Sequence, residues 1–363
     1  MSRPAVANIH LGHIVDNFRL AQALCPQAGQ ALAVVKADAY GHGAVKVAEA
    51  LAPHCPAFAV ACIEEALELR NAGIQQPILL LEGLFTADEL PLIAEQNFWV
   101  VVHSPFQIDE IQKAQLIAPI QVWLKVDTGM HRLGIHLSEV EQQVARLNAM
   151  SQVSGLVVMT HFANADIDEP AGISPAQQIA RLTSVTQTLD VDYSLANSAA
   201  LLAHPVSRKN WQRPGIMLYG ASPLETETPE SLQLKPAMTL ETRVIATHWV
   251  EVGESVGYGS RFVAEQRTRI GTIAMGYADG YPRQAKEGTP IAVDGQLTQL
   301  SGRVSMDMMT VDLTHIPSAD VGSRVELWGE QISANQIASQ SDTISYHLFT
   351  GITRRVRRRY LPA

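Results

Sequence analysis

The sequence predicts an α/β fold: a (β/α)₈ TIM-type barrel followed by a mostly β C-terminal domain. Three observations carry that expectation. Over about the first 220 residues, short apolar runs alternate with segments of helical period. There are eight such runs. Beyond about residue 230, strict alternation broken by glycines takes over, as in hairpins. A chain of 363 residues has room for two domains. The expected division is 1–228 for the barrel and 229–363 for the β domain. The polar, proline-bearing stretch "ASPLETETPESLQLKP" (221–236) links them.

In chain order the runs are "ALAVV", "FAVAC", "PILLL", "FWVVV", "PIQVWLKV", "GLVVMTHF", "VDYSLAN" and "PGIMLYG". Helix start signals lie between them. Thr86 with Glu89, Ser104 with Gln107, Ser138 with Glu141 and Ser174 with Gln177 match the capping box. Pro105 and Pro175 take the first helical position, where a missing N–H is harmless. Strands alternating with helices imply a parallel sheet with right-handed crossovers. Eight such units close into a barrel more readily than they extend an open sheet. In the second half, "AMTLETRVIATHWVEVGESVGYGSRF" and "TPIAVDGQLTQLSGRVSMDMMTVDL" read as strands, with one capped helix starting at Ser333 and Gln336.

Composition narrows the function. Hydrophobic content of 47% and charged content of 17% suit a globular protein with a sizeable core. No apolar run reaches the roughly 18 residues that span a bilayer, and the first residues lack the apolar core of a signal peptide. The expectation is a cytoplasmic protein with no membrane partner. Cys25, Cys55 and Cys62 form no C-x-x-C pair, which fits a reducing compartment. A net charge of −9 argues against nucleic acid. The basic run "RRVRRRY" (354–360) reads as the exposed face of a terminal element. No phosphate-loop, dinucleotide or zinc motif appears, so no metal site is expected.

In a barrel of this kind chemistry sits at the carboxyl ends of the strands. The residues found there are Lys36, Glu64, Glu82, His103, Lys125 with Asp127, His161, Asn197 with Ser198, and Tyr219, with Arg213 opening the eighth segment. Lys36 ends an apolar run and precedes the polar loop "ADAYGHG". Such a lysine is commonly a surface residue with a buried stem; it can also be an amine held half out of water for chemistry. The convergence of so many ionisable groups favours the second reading. Ser198, opening a helix, and Gly215, allowing close backbone approach, suit a phosphate after the seventh and eighth strands.

Taken together, "AVVKADAYGHG", "KVDTGMHRLG", "THFANAD", "NSAA", "RPGIMLYG", "VGYGSRF", "GYADGYPR" and "GRVSMDMMTVD" resemble the alanine racemases, in order and over nearly the whole chain. The resemblance implies pyridoxal 5'-phosphate as cofactor and alanine as substrate, interconverted between its L and D forms by two bases. Lys36 is implied to bind the cofactor covalently and to serve one face of the substrate, and Tyr258 to serve the other. Tyr40, Asn197, Ser198, Gly215 and Ile216 are implied cofactor contacts, the last two and Tyr40 and Ser198 at the phosphate. Arg213 is implied to face the ring nitrogen. Arg132 is implied to lie near the cofactor's phenolic oxygen and the substrate carboxylate. His161 is implied to join the catalytic tyrosine to an arginine, in a chain from Tyr258 through His161 to Arg213. Met306, with Asp307 beside it, is implied to hold the substrate carboxylate, and Tyr277 to gate a mouth suited to small side chains.

Some members of that family place a C-terminal tyrosine on the phosphate. Here Arg354 is expected to take that contact, with Tyr346 as the alternative. Lys125 is expected to be carbamylated, turning a cation into an anion that orients Arg132; the plainer reading is a lysine paired with Asp127. The family also implies a homodimer in which each β domain completes its neighbour's barrel mouth. Three other functions fit parts of the pattern. A decarboxylase of basic amino acids would set an acid, not Arg213, at the ring nitrogen. A non-enzymatic pyridoxal-phosphate carrier would leave the second domain unexplained. A cofactor-free barrel enzyme acting on a phosphorylated metabolite would leave Lys36 without a covalent partner.

Overall fold

The computed structural model describes residues 3–362. Seven parallel strands form one sheet in strict chain order: Ala33–Val34, Phe58–Val60, Ile78–Leu80, Phe98–Val102, Ile120–Lys125, Val153–Met159 and Asp192–Ser194. Every residue of Phe58–Val60 and Ile78–Leu80 is buried, as expected for strands covered on both faces. The eighth strand is the short Trp211–Gln212, which pairs in parallel with Gln30–Ala31 just ahead of the first. Backbone bonds from Leu32 N–H to Gln212 O (3.0 Å), Val34 N–H to Pro214 O (3.1 Å) and Arg213 N–H to Ala196 O (3.0 Å) complete the ring. Inside it, Trp99, Trp123 and Trp211 pack together with centroids 5.4–6.0 Å apart.

The eighth apolar run departs from expectation. "PGIMLYG" is not a strand; Ile216–Tyr219 is a 3-10 turn. The backbone at Gly215 (φ −121°, ψ −94°) leaves the extended region, and Gly220 ends the turn at φ +79°, which a side chain would strain. Ser198 Oγ accepts from Gly215 N–H at 2.8 Å and from Met217 N–H at 3.4 Å, drawing the chain inward over the barrel. Capping follows the same local logic. The boxes at Thr86 and Ser174 form, and Ser333 caps Ala334–Gln340. Ser104 precedes Pro105–Lys113 without a side-chain cap, and the reciprocal half of the box is displaced by one residue, Gln107 Oε1 accepting from His103 N–H at 2.8 Å. Ser138 lies inside the turn Leu137–Glu139, which His136 caps instead.

The second sheet has eight strands around the long Met238–Val250. That strand pairs antiparallel with Arg324–Trp328, Thr268–Ile273 and Val6–His10. Val6–His10 also pairs in parallel with Arg357–Leu361. The first strand of the chain therefore lies in the second sheet, although the expected segment 1–228 assigned it to the barrel. Its buried centre, Ala7 to Ile9, and the bond from Arg359 Nε to Asn8 Oδ1 (2.7 Å) fit a strand flanked on both sides in that sheet. After Ala334–Gln340 a further helix, Ser345–Gly351, not singled out from the sequence, returns the chain to the barrel mouth. The three cysteines are free thiols. Among the described residues no helix is long and apolar enough to cross a membrane.

Candidate active site

The first barrel strand ends at Val34, two residues before Lys36, and the backbone then does something unusual. Ala37, Asp38, Ala39 and Tyr40 all lie in the left-handed region, with φ of 52–53°. At roughly 1–2 kcal/mol for each such residue, the turn costs on the order of 4–8 kcal/mol. Side chains offset that cost. Asp38 Oδ1 accepts from Ala44 N–H at 2.7 Å. Buried His42 sets Nδ1 against Ala39 O (3.0 Å) and Tyr40 O (2.9 Å). Glu65 accepts from Ala37 N–H at 2.8 Å and from Ala61 N–H at 2.8 Å. Tyr219 Oη donates to Val34 O at 2.9 Å, and its ring stacks on Tyr40 at 4.8 Å.

The turn directs Lys36 into a cleft of about 640 Å³ at the carboxyl ends of the strands. Lys36 shares this cleft with Lys125, Arg132, His161 and Arg213. The crowding of cations shows in their proton affinities. Burial lowers the Lys36 pKa, Arg132 lowers it further, and Glu82 and Glu65 oppose. Lys125, buried at the end of its strand, is pulled down to about 8 by burial and then by Arg213, Arg132 and Lys36. Asp127, its partner under the plainer reading, is engaged elsewhere, accepting from Gly129 N–H (2.9 Å), His131 N–H (3.1 Å) and the His131 ring (2.9 Å). Burial, then Arg213 and Lys125, hold His161 well below its ordinary value, so its imidazole is neutral.

Arg213 is buried at the cleft floor. Its Nη1 donates to Ser194 O (2.8 Å) and Oγ (2.6 Å), and its Nη2 to Thr160 O (2.7 Å) and Leu195 O (3.3 Å). Burial lowers its pKa to about 10, which leaves it charged at neutral pH. Among the described residues its Nε has no partner, so one donor is left facing the cleft. At the other end Tyr40, Ser198, Gly215, Ile216 and Tyr346 form a second group of lining residues. A Cβ on Gly215 would come within 2.5 Å of Tyr40 Oη. This cradle of hydroxyls and turn N–H groups fits a phosphate, and the free guanidinium donor fits a ring nitrogen. The two ends and the amine between them suit pyridoxal phosphate.

Asn197 also lines the cleft, and its side chain caps the helix Ser198–Ala203. Arg354 does not line it. That residue is exposed, and the helix Ser345–Gly351 presents Tyr346 beside Tyr40 instead, with centroids 5.9 Å apart. The cause is geometric: helix Ser345–Gly351 packs against the left-handed turn, whereas Arg354 lies beyond it. Tyr258, Tyr277, Met306 and Asp307 also lie outside the cleft of their own chain. Tyr258 is 71% exposed and Met306 53%. Tyr277 N–H bonds to Ser305 O and Ala278 N–H to Met306 O, both at 3.0 Å, which sets Tyr277 beside Met306. The Asp307 carboxylate is taken by Arg355 at 2.6 Å. Sequence reading named Glu64 at this rim but missed Glu65, whose only signal is a carboxylate in the first turn after a strand end.

Comparison with known proteins agrees with this geometry. The model of the alanine racemase N-terminal domain matches residues 9–223, and that of the C-terminal domain matches residues 237–360. An alanine racemase of Pseudomonas entomophila is 52% identical over 97% of this chain and 98% of its own. A catabolic alanine racemase of Pseudomonas putida is 52% identical over 99% of both. The crystal structure of the biosynthetic alanine racemase from Pseudomonas aeruginosa superposes with a TM-score of 0.94 at 46% identity, over 99% of each chain. The alanine racemase from Bartonella henselae, solved with covalently bound pyridoxal phosphate, superposes with a TM-score of 0.88 at 29% identity, over 99% of each chain.

Proposed function

The chain belongs to the alanine racemase family and is an alanine racemase, and from that premise we propose how its own residues divide the work. Lys36 would hold pyridoxal phosphate covalently, and its amine would exchange a proton with one face of the substrate α-carbon. Tyr258 exchanges a proton with the other face. The observation that carries the reading is the left-handed turn that sends Lys36 between a phosphate cradle and the unpaired Arg213 donor.

Pyridoxal phosphate, when bound, supplies the electron sink that makes loss of the α-proton attainable. The protein does the rest. Tyr40, Ser198, Gly215, Ile216 and Tyr346 hold the phosphate. Arg213, with Nη1 and Nη2 fixed, has its Nε left to meet the ring nitrogen; a guanidinium keeps its protons and would leave that nitrogen unprotonated. Arg132 faces the phenolic oxygen and the substrate carboxylate. His161, held neutral, relays between Arg213 and Tyr258 once the tyrosine is in place. Met306 supplies a backbone donor to the carboxylate, with Asp307 behind it, and Tyr277 narrows the mouth. Proton carriers on opposite faces serve both directions of a reaction whose substrates are mirror images.

Tyr258, Tyr277, Met306 and Asp307 do not reach their own cleft, which supports a homodimer that exchanges them between subunits. We read the compartment as the cytoplasm, supported by three free thiols. The deciding experiment is racemisation of L- and D-alanine by polarimetry, with and without added pyridoxal phosphate. Lys36→Ala is expected to lose cofactor colour and racemisation together. Tyr258→Phe is expected to keep the colour and lose activity by about 10²–10⁴-fold. Normal racemisation by Lys36→Ala would overturn the assignment.

A further inference from the structure

The residue immediately after Lys36 is fastened by a single side chain. Ala37 N–H donates to Glu65 Oε1 at 2.8 Å, and the other oxygen of the same carboxylate accepts from Ala61 N–H at 2.8 Å. Glu65 sits in the first turn of Ile63–Asn71, the helix after the second barrel strand Phe58–Val60. One carboxylate therefore ties the carboxyl ends of the first two barrel strands together. The other anchors of the left-handed turn act further along it. Asp38 reaches forward to Ala44. His42 grips the carbonyls of Ala39 and Tyr40. At the end next to the amine, Glu65 is the side chain that fixes the backbone.

We propose that Glu65 is the positioning residue for Lys36: by bridging Ala37 and Ala61 it sets the direction in which the Lys36 side chain leaves the barrel rim. This rests on Lys36 being the cofactor-bearing amine. The chemistry of the bridge separates positioning from mere filling of space. A carboxylate accepts from both amides. A glutamine of the same shape has one acceptor oxygen, and its NH₂ would face an N–H. Glu65→Gln therefore breaks the bridge without opening a cavity. Glu65→Asp keeps the charge but is a methylene too short to span both amides.

The test uses the holoenzyme. Hydrogen exchange on peptides covering Ala37 and Ala61 is expected to show both amides protected in the wild type and exchanging faster in Glu65→Gln and Glu65→Asp. In both variants kcat is expected to fall about tenfold or more while KM stays within about threefold, because the amine is misdirected rather than the substrate site lost. Hydroxylamine is expected to strip the cofactor from both variants faster than from the wild type. Glu68→Gln, on the exposed side of the same helix, is expected to match the wild type in all three. Unprotected Ala37 and Ala61 in the wild type would overturn the bridge, even if no variant folds. Wild-type kcat and stripping rate in Glu65→Gln would overturn its positioning role. Failure of the Lys36 assignment would look different, as racemisation by Lys36→Ala.

Discussion

Arg213 shows how one residue can set the character of a reaction. Four hydrogen bonds, to Ser194 O, Ser194 Oγ, Thr160 O and Leu195 O, fix its guanidinium in the barrel floor. In the role proposed for it, a guanidinium that keeps its protons would leave the ring nitrogen unprotonated, so the electron sink would be weaker, carbanion character would be short-lived and protonation at the wrong atom disfavoured. Arg213→Glu should therefore racemise more slowly and release more pyruvate by side transamination, measured by a coupled dehydrogenase assay; unchanged pyruvate would count against this account. Lys125 makes a second residue-level case. Its pKa of about 8 leaves roughly a tenth of the amine neutral at pH 7, against well under a thousandth for an ordinary lysine. Neutral amine is what carbon dioxide attacks, and an anion amid Arg132, Arg213 and Lys36 would be well placed. Native mass spectrometry should find a carbon dioxide adduct on Lys125. Its occupancy should rise as pH climbs through 8 and vanish in Lys125→Arg.

Among the elements, the turn Ala37–Tyr40 shows what local pattern conveys and what it hides. "ALAVV" reads directly as a strand and Lys36 directly as its end. Nothing in "KADAY" signals a left-handed backbone, because no glycine occupies the four positions that adopt it. The conformation is held by side chains whose roles a residue pattern does not reveal: Asp38 and His42 close by, and Glu65, 28 residues along the chain. "PGIMLYG" misleads for the opposite reason: an apolar run is equally consistent with a strand and with a buried 3-10 turn, and Ser198 decides. Gly41 closes the turn at φ +79°, and a Cβ there would collide with Phe349 O. Gly41→Ala should destabilise by about 2–5 kcal/mol in urea melts, from left-handed strain plus overpacking. Buried His42 adds a pH dependence. Burial lowers its pKa to about 4, so from pH 6.5 downward the unfolded histidine takes a proton that the folded one refuses. Stability is then complete above 6.5 and falls by about 3 kcal/mol by pH 4. His161 shares the sign. The pH slope of the urea midpoint should flatten in His42→Gln.

At the scale of the molecule, the division into a barrel and a β domain is legible because hydrophobic period changes from helical to alternating near residue 230. The return of Val6–His10 to the second sheet is not, because strand pairing across more than 200 residues leaves no local trace. The site itself divides along the same line. The strand-end residues Lys36, Lys125, His161 and Arg213 share one cleft, since a barrel brings all its strand ends to one rim. Tyr258 and Met306 stand exposed on the other domain. If Tyr258 and Lys36 serve one α-carbon, as proposed, the exposed phenol does not reach the cleft of its own chain and a second copy would have to supply it. That requirement has a sharp consequence. Lys36→Ala and Tyr258→Phe homodimers each lack one proton carrier at both sites. Mixed and allowed to exchange subunits, they form hybrids in which one site has lost both groups and the other has regained both. With random exchange about half of the dimers are hybrids, each with one intact site out of two. Activity should therefore rise from near nothing to about a quarter of the wild-type value per subunit. Its appearance should follow the rate of subunit exchange measured by fluorescence energy transfer. If exchange proceeds and activity stays at the level of the parents, both proton carriers belong to one chain.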